Sequence, residues 1–358
     1  MGGAPRVLVF GAGAIGQWIG ARFAEAGAQV TLLCRPAFAT AVREQGLRVR
    51  TADAGGIEAH DIAAVETLDA IAGQPFDWIF ITVKTFDVEG ALSSLAAAGL
   101  LQPQTRVMGF QNGVGTEDAV AAALTPERTF VCVVTRPIAF TDRPAEVEEA
   151  SSRGGISIAP YVSGQPFGNL EPALRGCGLE VTRFEDQRVM KWSKLLLNMT
   201  ANATCAILDM TAAELYSSPA LFGVERAAFR EARRIMTDMG IAPANLPGYP
   251  ARLLSSVMAL PPWMGRLILR QRVGAARGSK PPSLLLEMQR PRPESEVGWL
   301  NGAVAREARA RGLTAPINAL LTETLNDIVS GRVPWDDWRH KPARLAEEAL
   351  RRKKRPVG

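Results

Sequence analysis

The chain has 358 residues, of which 47% are hydrophobic, and it carries a formal net charge of +5. This length allows two hydrophobic cores, but the apolar runs stay well below the roughly 20 residues of a membrane span, so we expect no membrane partner. Residues 187–358 carry 27 Lys and Arg against 15 Asp and Glu, yet these cations are scattered and aromatic residues are sparse, so we expect no nucleic-acid partner either.

The first half of the sequence alternates strand and helix patterns. Candidate strands cover residues 6–10, 29–34, 78–83, 105–110 and 129–134, and the first helix covers residues 14–26. Such alternation predicts a parallel sheet covered by helices on both faces. We expect a hairpin of residues 145–150 with 155–159, a helix near 166–175 and a strand at 179–184 to complete this half.

Strand patterns largely vanish after residue 186, and helical patterns take over. They cover residues 187–208, 220–239, 283–289, 296–311 and 316–329, whereas several prolines leave residues 243–282 without an assignment. We therefore predict an α/β chain. A Rossmann-type domain at residues 1–186 is followed by an all-α substrate and catalytic domain at 187–345 and a basic tail at 346–358.

A glycine motif follows the first strand and opens the first helix. Its residues match the pattern GxGxxG and are Gly11, Ala12, Gly13, Ala14, Ile15 and Gly16. In that position the first glycine allows a tight turn, the second lets the backbone approach a pyrophosphate, and the third lets helix and strand pack closely. The motif predicts a dinucleotide site.

The end of the second strand indicates which dinucleotide binds. An NAD site usually has Asp or Glu there, but this chain has Cys34 followed by Arg35. A guanidinium is suited to a 2′-phosphate, which favours NADPH. The alternative is that Arg35 is an ordinary loop cation.

Three polar residues are spaced along one apolar helical segment. Lys194, Asn198 and Asn202 are four residues apart, so a continuous helix would place them on one face. Ketone reduction produces an alkoxide, which a lysine ammonium can protonate, and asparagine amides can hold a substrate. The alternative is an exposed polar face. Since the chain has only His60 and His340, we do not expect a histidine acid.

Taken in order along the chain, these motifs resemble the ketopantoate reductase (2-dehydropantoate 2-reductase) family. The resemblance covers most of the sequence. It rests on GAGAIG at 11–16, Arg35, VKT at 83–85, QNGVG at 111–115, WSKLLLNMTAN at 192–202, Ser283, EVGWLNG at 296–302 and GLTAPIN at 312–318.

The resemblance implies an NADP-dependent oxidoreductase that acts on a CH–OH group, reducing ketopantoate to pantoate for pantothenate synthesis. Lys194 would be the proton donor, with Glu296 facing it and the cofactor. Asn198, Asn202, Ser283 and Asn112 would bind substrate, Asn112 also lying beside the cofactor with Lys84. The alternatives are a surface cation for Lys84, turn chemistry for Asn112, a helix N-cap for Ser283 and a solvated helix residue for Glu296.

Two departures from the family pattern fall where substrate is selected. Ala212 stands where the family commonly has a further asparagine. Ser283 and Glu296 are thirteen rather than twelve residues apart, with Pro291 and Pro293 between them, and Gly298 replaces the usual Asp. A reductase of another 2-oxo or β-oxo acid is therefore the alternative function, and a non-catalytic NADP-binding regulator is a weaker one.

Other features indicate where the protein works. Cys34, Cys132, Cys177 and Cys205 are far apart and form no CxxC pair, which predicts buried, reduced thiols rather than metal ligands or disulfides. The first residues lack the pattern of a secretion signal. We expect a cytoplasmic enzyme that needs no metal, whose partner is a small 2-oxo acid, with a homodimer left open.

Overall fold

The chain divides into two compact units. A computed structural model describes residues 3–53, 55–277, 281–289 and 294–354. The first unit contains Met1–Gln111, Gly115–Met190 and Leu246–Tyr249, and the second contains Asn112–Val114, Lys191–Asn245 and Pro250–Gly358. The boundary falls within a helix that follows residue 186.

The first unit contains strands and the helices between them. Its strands are β1 (Arg6–Phe10), β2 (Gln29–Leu33), β3 (Leu47–Arg50), β4 (Gly56–Ala59), β5 (Ile62–Val65), β6 (Trp78–Ile81), β7 (Arg106–Gly109), β8 (Thr129–Val134), β9 (Ile138–Phe140), β10 (Glu146–Glu149), β11 (Ile156–Pro160) and β12 (Val181–Arg183). Its helices are α1 (Ala14–Glu25), α2 (Pro36–Gln45), α3 (Val88–Ala97), α4 (Thr116–Ala123) and α5 (Glu171–Gly176).

Eight strands form the main sheet, in the order β12-β11-β8-β7-β6-β1-β2-β5. The six neighbouring strands β8, β7, β6, β1, β2 and β5 run parallel to one another, and β11 pairs antiparallel with β8. Strand β1 shows why the sheet is covered on both faces. Val7 and Val9 pack into one hydrophobic cluster with Trp18 of α1, whereas Leu8 packs into a second cluster with Leu92 of α3. The predicted parallel sheet is confirmed.

The predicted hairpin of residues 145–150 with 155–159 is wrong. Strand β10 pairs with β3 and β9 in a second sheet of order β4-β3-β10-β9, while β11 pairs with β8 and β12 in the main sheet. A period of two identifies a strand but not its partner. Here Glu149, at the end of β10, is held by Trp18 and Arg22 of α1, which keeps β10 in the second sheet.

The second unit is helical, as predicted. Its helices are α6 (Gln187–Met199, whose first turn lies in the first unit), α7 (Ala203–Leu208), α8 (Ala212–Ser217), α9 (Pro219–Asp238), α10 (Ala251–Ala259), α11 (Pro262–Arg277), α12 (Ser283–Met288), α13 (Asn301–Ala310), α14 (Pro316–Val329) and α15 (Pro342–Lys354). Helices α9 and α14 form its centre, since each contacts α13, α15 and the other.

Some helix boundaries differ from those predicted. The segment 187–208 is two helices, because Ala201 has a left-handed backbone with φ of 52° between α6 and α7. The segment 296–311 begins as a 3₁₀ turn, Glu296–Trp299, before α13. Residues 346–354 of the predicted tail belong to α15, and residues 355–358 lie outside the described residues. No helix in the described part of the chain is long and apolar enough to cross a membrane.

Candidate active site

The predicted cofactor residues of the first unit lie at one edge of the main sheet. The parallel strands β1, β2 and β6 end in the glycine motif, in Cys34-Arg35 and in the Lys84 loop, respectively. Strand β2 lies on one side of β1 and β6 on the other. From β1 the chain continues to β2 and β5 on one side and later returns to β6 on the other side, so the strand order reverses at β1. Ligands of open α/β sheets bind at such switch points.

Two glycines of the motif are required by close packing. Gly11 has φ of 110°, and a Cβ there would lie 2.8 Å from Cγ1 of Val83. A Cβ on Gly16 would lie 2.0 Å from the carbonyl oxygen of Gly11 and 2.7 Å from Oγ1 of Thr82. Both separations are shorter than real Cβ contacts, so a side chain at position 11 or 16 would force neighbouring atoms to move.

The third glycine faces open space. Gly13 is exposed at the N-cap of α1, and a Cβ there would have no atom within 4 Å. The helix has no acidic residue in its first turn and no side-chain cap, so its first backbone N–H groups can meet an anion. Ala12, Ala14 and Ile15 pack against the core below. This arrangement fits a dinucleotide pyrophosphate.

Arg35 lies at the end of β2, where its side chain is exposed. Within the described residues it has no ion pair or side-chain hydrogen bond. The preceding thiol differs, because burial, partly opposed by the charge of Arg43, raises the pKa of Cys34 to about 11. A neutral thiol beside a solvent-facing guanidinium leaves the cation available to a phosphate.

Two side chains, the half-buried Thr82 and the buried Gln111, make contacts at this edge that the sequence analysis missed. The hydroxyl of Thr82 donates to the carbonyl of Gly11 at 2.6 Å. The amide of Gln111 donates to the carbonyls of Ile81 and Val83, at 2.7 and 3.0 Å. These bonds fix the segment that leads to Lys84, which is half-buried before a 3₁₀ turn. No sequence pattern indicated either contact.

The predicted proton donor lies on α6 in the second unit. The side chain of Lys194 is buried, with the residue only 7% exposed, and Leu195 and Leu196 are fully buried beside it. Asn198 lies one turn later and is partly exposed, whereas Asn202 is 5% exposed. The alternative of a solvated polar face does not hold for Lys194 and Asn202, since burying such groups costs free energy unless they have partners.

Asn202 does not continue the helical stripe, because α6 ends before it. Its Nδ2 donates to the backbone carbonyl of Asn198 at 2.8 Å and to Oγ of Ser283 at 3.1 Å. Its Oδ1 accepts from the backbone N–H of Leu284 at 3.0 Å. The Asn202 amide therefore helps hold the start of α12, with both of its N–H donors and one lone pair of Oδ1 engaged. Its contact with substrate stays a prediction.

Ser283 is the first residue of α12 and is exposed. The N-cap position belongs to Pro282, and the Ser283 side chain makes no capping bond. The alternative of an N-cap is therefore wrong. Because Oγ of Ser283 accepts from Asn202, its own O–H can donate to a ligand.

Asn112 is bonded to the same network, and its loop is bonded to the turn that carries Glu296. Oδ1 of Asn112 accepts from Nδ2 of Asn198 at 3.0 Å, and the N–H of Val114 donates to the carbonyl of Trp299 at 2.9 Å. Glu296 is the first residue of the 3₁₀ turn Glu296–Trp299 and is 4% exposed. Its backbone N–H donates to the side-chain carboxylate of Glu287 at 3.2 Å. A solvated helix position for Glu296 is ruled out.

The structure thus gathers six of the predicted residues within the second unit. Lys194 and Asn198 share α6, Asn198 bonds Asn112, and Asn202 bonds both Asn198 and Ser283. The loop that carries Asn112 is tied to the turn that carries Glu296. Pro291 and Pro293, in the lengthened segment between Ser283 and Glu296, lie outside the described residues.

Two further motif residues, Asn301 and Asn318, have structural roles. Nδ2 of Asn301 donates to Oδ1 of Asn318 at 2.9 Å, and both residues are fully buried. Glu231 accepts from the backbone N–H groups of Ile317 and Asn318 at the start of α14. Burial, partly offset by these bonds, raises the pKa of Glu231. This network links α9, α13 and α14 and needs no ligand to explain it.

Comparison with known proteins places both halves of the chain in one family. Residues 7–162 match the family model described as ketopantoate reductase PanE/ApbA, and residues 186–329 match that of its C-terminal part. The 2-dehydropantoate 2-reductase of Archaeoglobus fulgidus is 26% identical over 331 residues, which are 91% of this chain and 98% of that protein. That of Halobacterium salinarum is 26% identical over 327 residues, or 90% and 97%.

Solved structures share the fold. A PanE/ApbA family ketopantoate reductase from Ralstonia eutropha has a TM-score of 0.73 and 23% identity, covering 91% of this chain and 99% of that one. A D-mandelate dehydrogenase in complex with NADH has a TM-score of 0.70 and 19% identity, with the same coverage.

Proposed function

Since the chain belongs to the ketopantoate reductase PanE/ApbA family, we propose that it reduces ketopantoate to pantoate with NADPH, with Lys194 as the proton donor. The observation that carries this proposal is the buried Lys194 on the same helix as Asn198, which is hydrogen-bonded with Asn112 and Asn202, the latter also bonding Ser283. The 26% identity to relatives of that name supports the substrate.

The cofactor, when bound, supplies the hydride that adds to the ketone carbon. The ammonium of Lys194 then gives its proton to the carbonyl oxygen as negative charge develops there, which is general-acid catalysis. Asn198, held by Asn112, orients the substrate hydroxyl or carbonyl. Ser283 donates its O–H to the substrate carboxylate, because Asn202 already occupies a lone pair of the serine oxygen. Glu296 stabilises the lysine ammonium by its charge.

The choice of NADPH rests on Arg35. A guanidinium at the end of the second strand, with no partner among the described residues, suits the 2′-phosphate of NADPH. The glycine motif and the uncapped start of α1 support pyrophosphate binding at the same sheet edge. The four buried thiols fit a reducing compartment such as the cytosol.

A second candidate is a reductase of the same family that acts on another 2-oxo acid. Ala212, buried at the start of α8, offers no amide to a substrate, and Gly298 offers no carboxylate. A D-mandelate dehydrogenase shares the fold, so this architecture accommodates other substrates. The buried Lys194 and Glu296 argue against a non-catalytic regulator.

The test is a comparison of steady-state rates. The purified chain is assayed with ketopantoate, phenylglyoxylate, 2-oxoisovalerate and acetoacetate, each with NADPH and with NADH. We expect the highest kcat/KM for ketopantoate with NADPH. A higher kcat/KM for another acid would favour the second candidate, a reductase of that acid. If NADPH were oxidised with none of the acids, both candidates would be rejected.

A further inference from the structure

A buried carboxylate that the proposed chemistry does not use holds the break between α6 and α7. Glu225, on α9, is 3% exposed. One of its oxygens accepts from the backbone N–H of Ala201 at 2.6 Å, and the other accepts from the hydroxyl of Thr204 at 2.5 Å. A carboxylate is costly to bury unless its oxygens are bonded, and here both are.

The backbone of Ala201, between α6 and α7, has a conformation that needs support from its surroundings. Ala201 has φ of 52°, in the left-handed region that residues with a Cβ rarely adopt. Such a conformation persists when the surrounding structure holds it. The bond from Ala201 to Glu225 does so, and the negative charge also lies favourably at the N-terminus of α7.

The break changes what Asn202 can reach. In a continuing helix the backbone N–H of residue 202 would bond the carbonyl of Asn198, four residues earlier. Here the side-chain Nδ2 of Asn202 takes that carbonyl instead. The same amide then reaches Oγ of Ser283 and the backbone N–H of Leu284. Because of the break, the side chain of Asn202 bonds the first two residues of α12 instead of lying on the face of a continuing helix.

We infer that Glu225 is a positioning residue for the oxo acid, acting through Ala201 and Asn202 to hold the Ser283 hydroxyl. This inference rests on the proposed function, in which Ser283 meets the substrate carboxylate. Glu225 touches neither substrate nor cofactor in this account. Its loss affects binding of the acid and not the supply of the proton.

The experiment compares two replacements of Glu225. Glu225→Met keeps the length of the side chain but removes both acceptors, so we expect the KM for the oxo acid to rise about tenfold or more through misplacement of Ser283. The kcat and the KM for NADPH should stay within about threefold, because Lys194 is not displaced. Glu225→Gln can accept from Ala201 and donate to Thr204, so its KM should stay near that of the unmodified chain.

A matched control and a rescue variant separate positioning from general destabilisation. Asp209 lies at the other end of α7, also has a positive φ, and forms an ion pair with Arg339. Asp209→Asn removes this ion pair. It should lower the melting temperature and leave the KM for the acid unchanged. Adding Ala201→Gly to Glu225→Met should lower the raised KM part of the way back to that of the unmodified chain, because glycine adopts positive φ without cost. This double variant is also measured if Glu225→Met does not fold.

The outcomes are distinguishable. A lower melting temperature with an unchanged KM for the acid in Glu225→Met, or in the double variant if only that one folds, would overturn the inference and leave a purely structural role. An equal rise in both Michaelis constants would also overturn it. Absence of oxo-acid reduction by the unmodified chain would instead reject the proposed function.

Discussion

Lys194 and Arg35 are cations with opposite environments. Lys194 is buried on α6, whereas Arg35 is exposed after β2. Residue type and position singled out Lys194, Arg35 and Asn198, whereas only the resemblance to a family singled out Glu296. It could not predict that Asn202 would bond Ser283, because that contact spans 81 residues of sequence. Such a contact depends on how separate helices pack.

The role of Arg35 is tested by reversing its charge. In Arg35→Asp, kcat/KM for NADPH should fall about tenfold to a hundredfold relative to that for NADH, since a charge-assisted hydrogen bond contributes about 1.5–3 kcal/mol. The measurement is the ratio of kcat/KM for the two cofactors. Arg43→Asp is the control, because Arg43 already pairs with Glu66 at 3.0 Å. An unchanged cofactor ratio in Arg35→Asp would show that Arg35 binds no phosphate.

At the scale of elements, the glycine motif allows two substitutions of the same size to be compared. Gly16→Ala places a Cβ 2.0 Å from the Gly11 carbonyl, so the loop must shift. We expect it to destabilise the protein by about 1–3 kcal/mol. Gly13→Ala meets no atom within 4 Å. It should leave the melting temperature unchanged.

The two substitutions should differ again in cofactor binding. A methyl group at Gly13 occupies the side from which a pyrophosphate approaches, so we expect the Kd for NADPH to rise about tenfold or more. Fluorescence titration of NADPH measures it. A Kd for Gly13→Ala equal to that of the unmodified chain would show that the phosphates do not approach this glycine.

Elements were predicted better than their connections. The helix 316–329 begins and ends as predicted, because its apolar residues follow the helical period without interruption. The break after α6 was missed, since neither Ala201 nor Thr200 is a typical helix terminator and the carboxylate that stabilises the break lies on α9. The strands β3, β4 and β5 were missed because their sequences, LRVR, GIEA and IAAV, lack the uninterrupted run of large apolar residues that marks β1 and β6.

On the scale of the whole molecule, the residues predicted to bind the cofactor phosphates lie in the first unit and the predicted catalytic residues lie in the second. Residues 1–186 carry 14 Lys and Arg against 21 Asp and Glu, so the glycine motif and Arg35 lie in the acidic half of the sequence. The predicted catalytic residues lie in the basic half. The alternation of strands predicted the main sheet, but the second sheet could not be predicted, because its strands come from distant parts of the first unit.

A buried carboxylate with two arginine partners contributes to the stability of the first unit. The carboxylate of Glu149 accepts from the Trp18 indole and pairs with Arg22 and Arg136, at 2.7, 2.5 and 2.8 Å. Burial alone would raise the pKa of Glu149, but these partners outweigh it and hold the pKa below its usual value. Glu149→Gln leaves a buried guanidinium without its charge partner, so we expect a loss of about 3 kcal/mol in the free energy of unfolding near neutral pH.

The same ion pair predicts a pH dependence. A carboxyl whose pKa is lowered by folding stabilises the protein above its unfolded value, near 4.5, and this stabilisation is lost as the pH falls through the lower folded value. The difference in unfolding free energy between the unmodified chain and Glu149→Gln should therefore shrink below pH 4.5. Urea unfolding across that range measures it, and a difference that stays constant would contradict the assignment.

The central claim is that Lys194 supplies the proton while residues of the other unit bind the cofactor. The most direct measurement is the single-turnover rate of NADPH oxidation by Lys194→Gln with saturating ketopantoate, alongside the Kd for NADPH. We predict a rate lower by about a hundredfold to ten-thousandfold, with a Kd within about threefold of the unmodified value. A rate within about threefold of the unmodified rate would show that another group donates the proton.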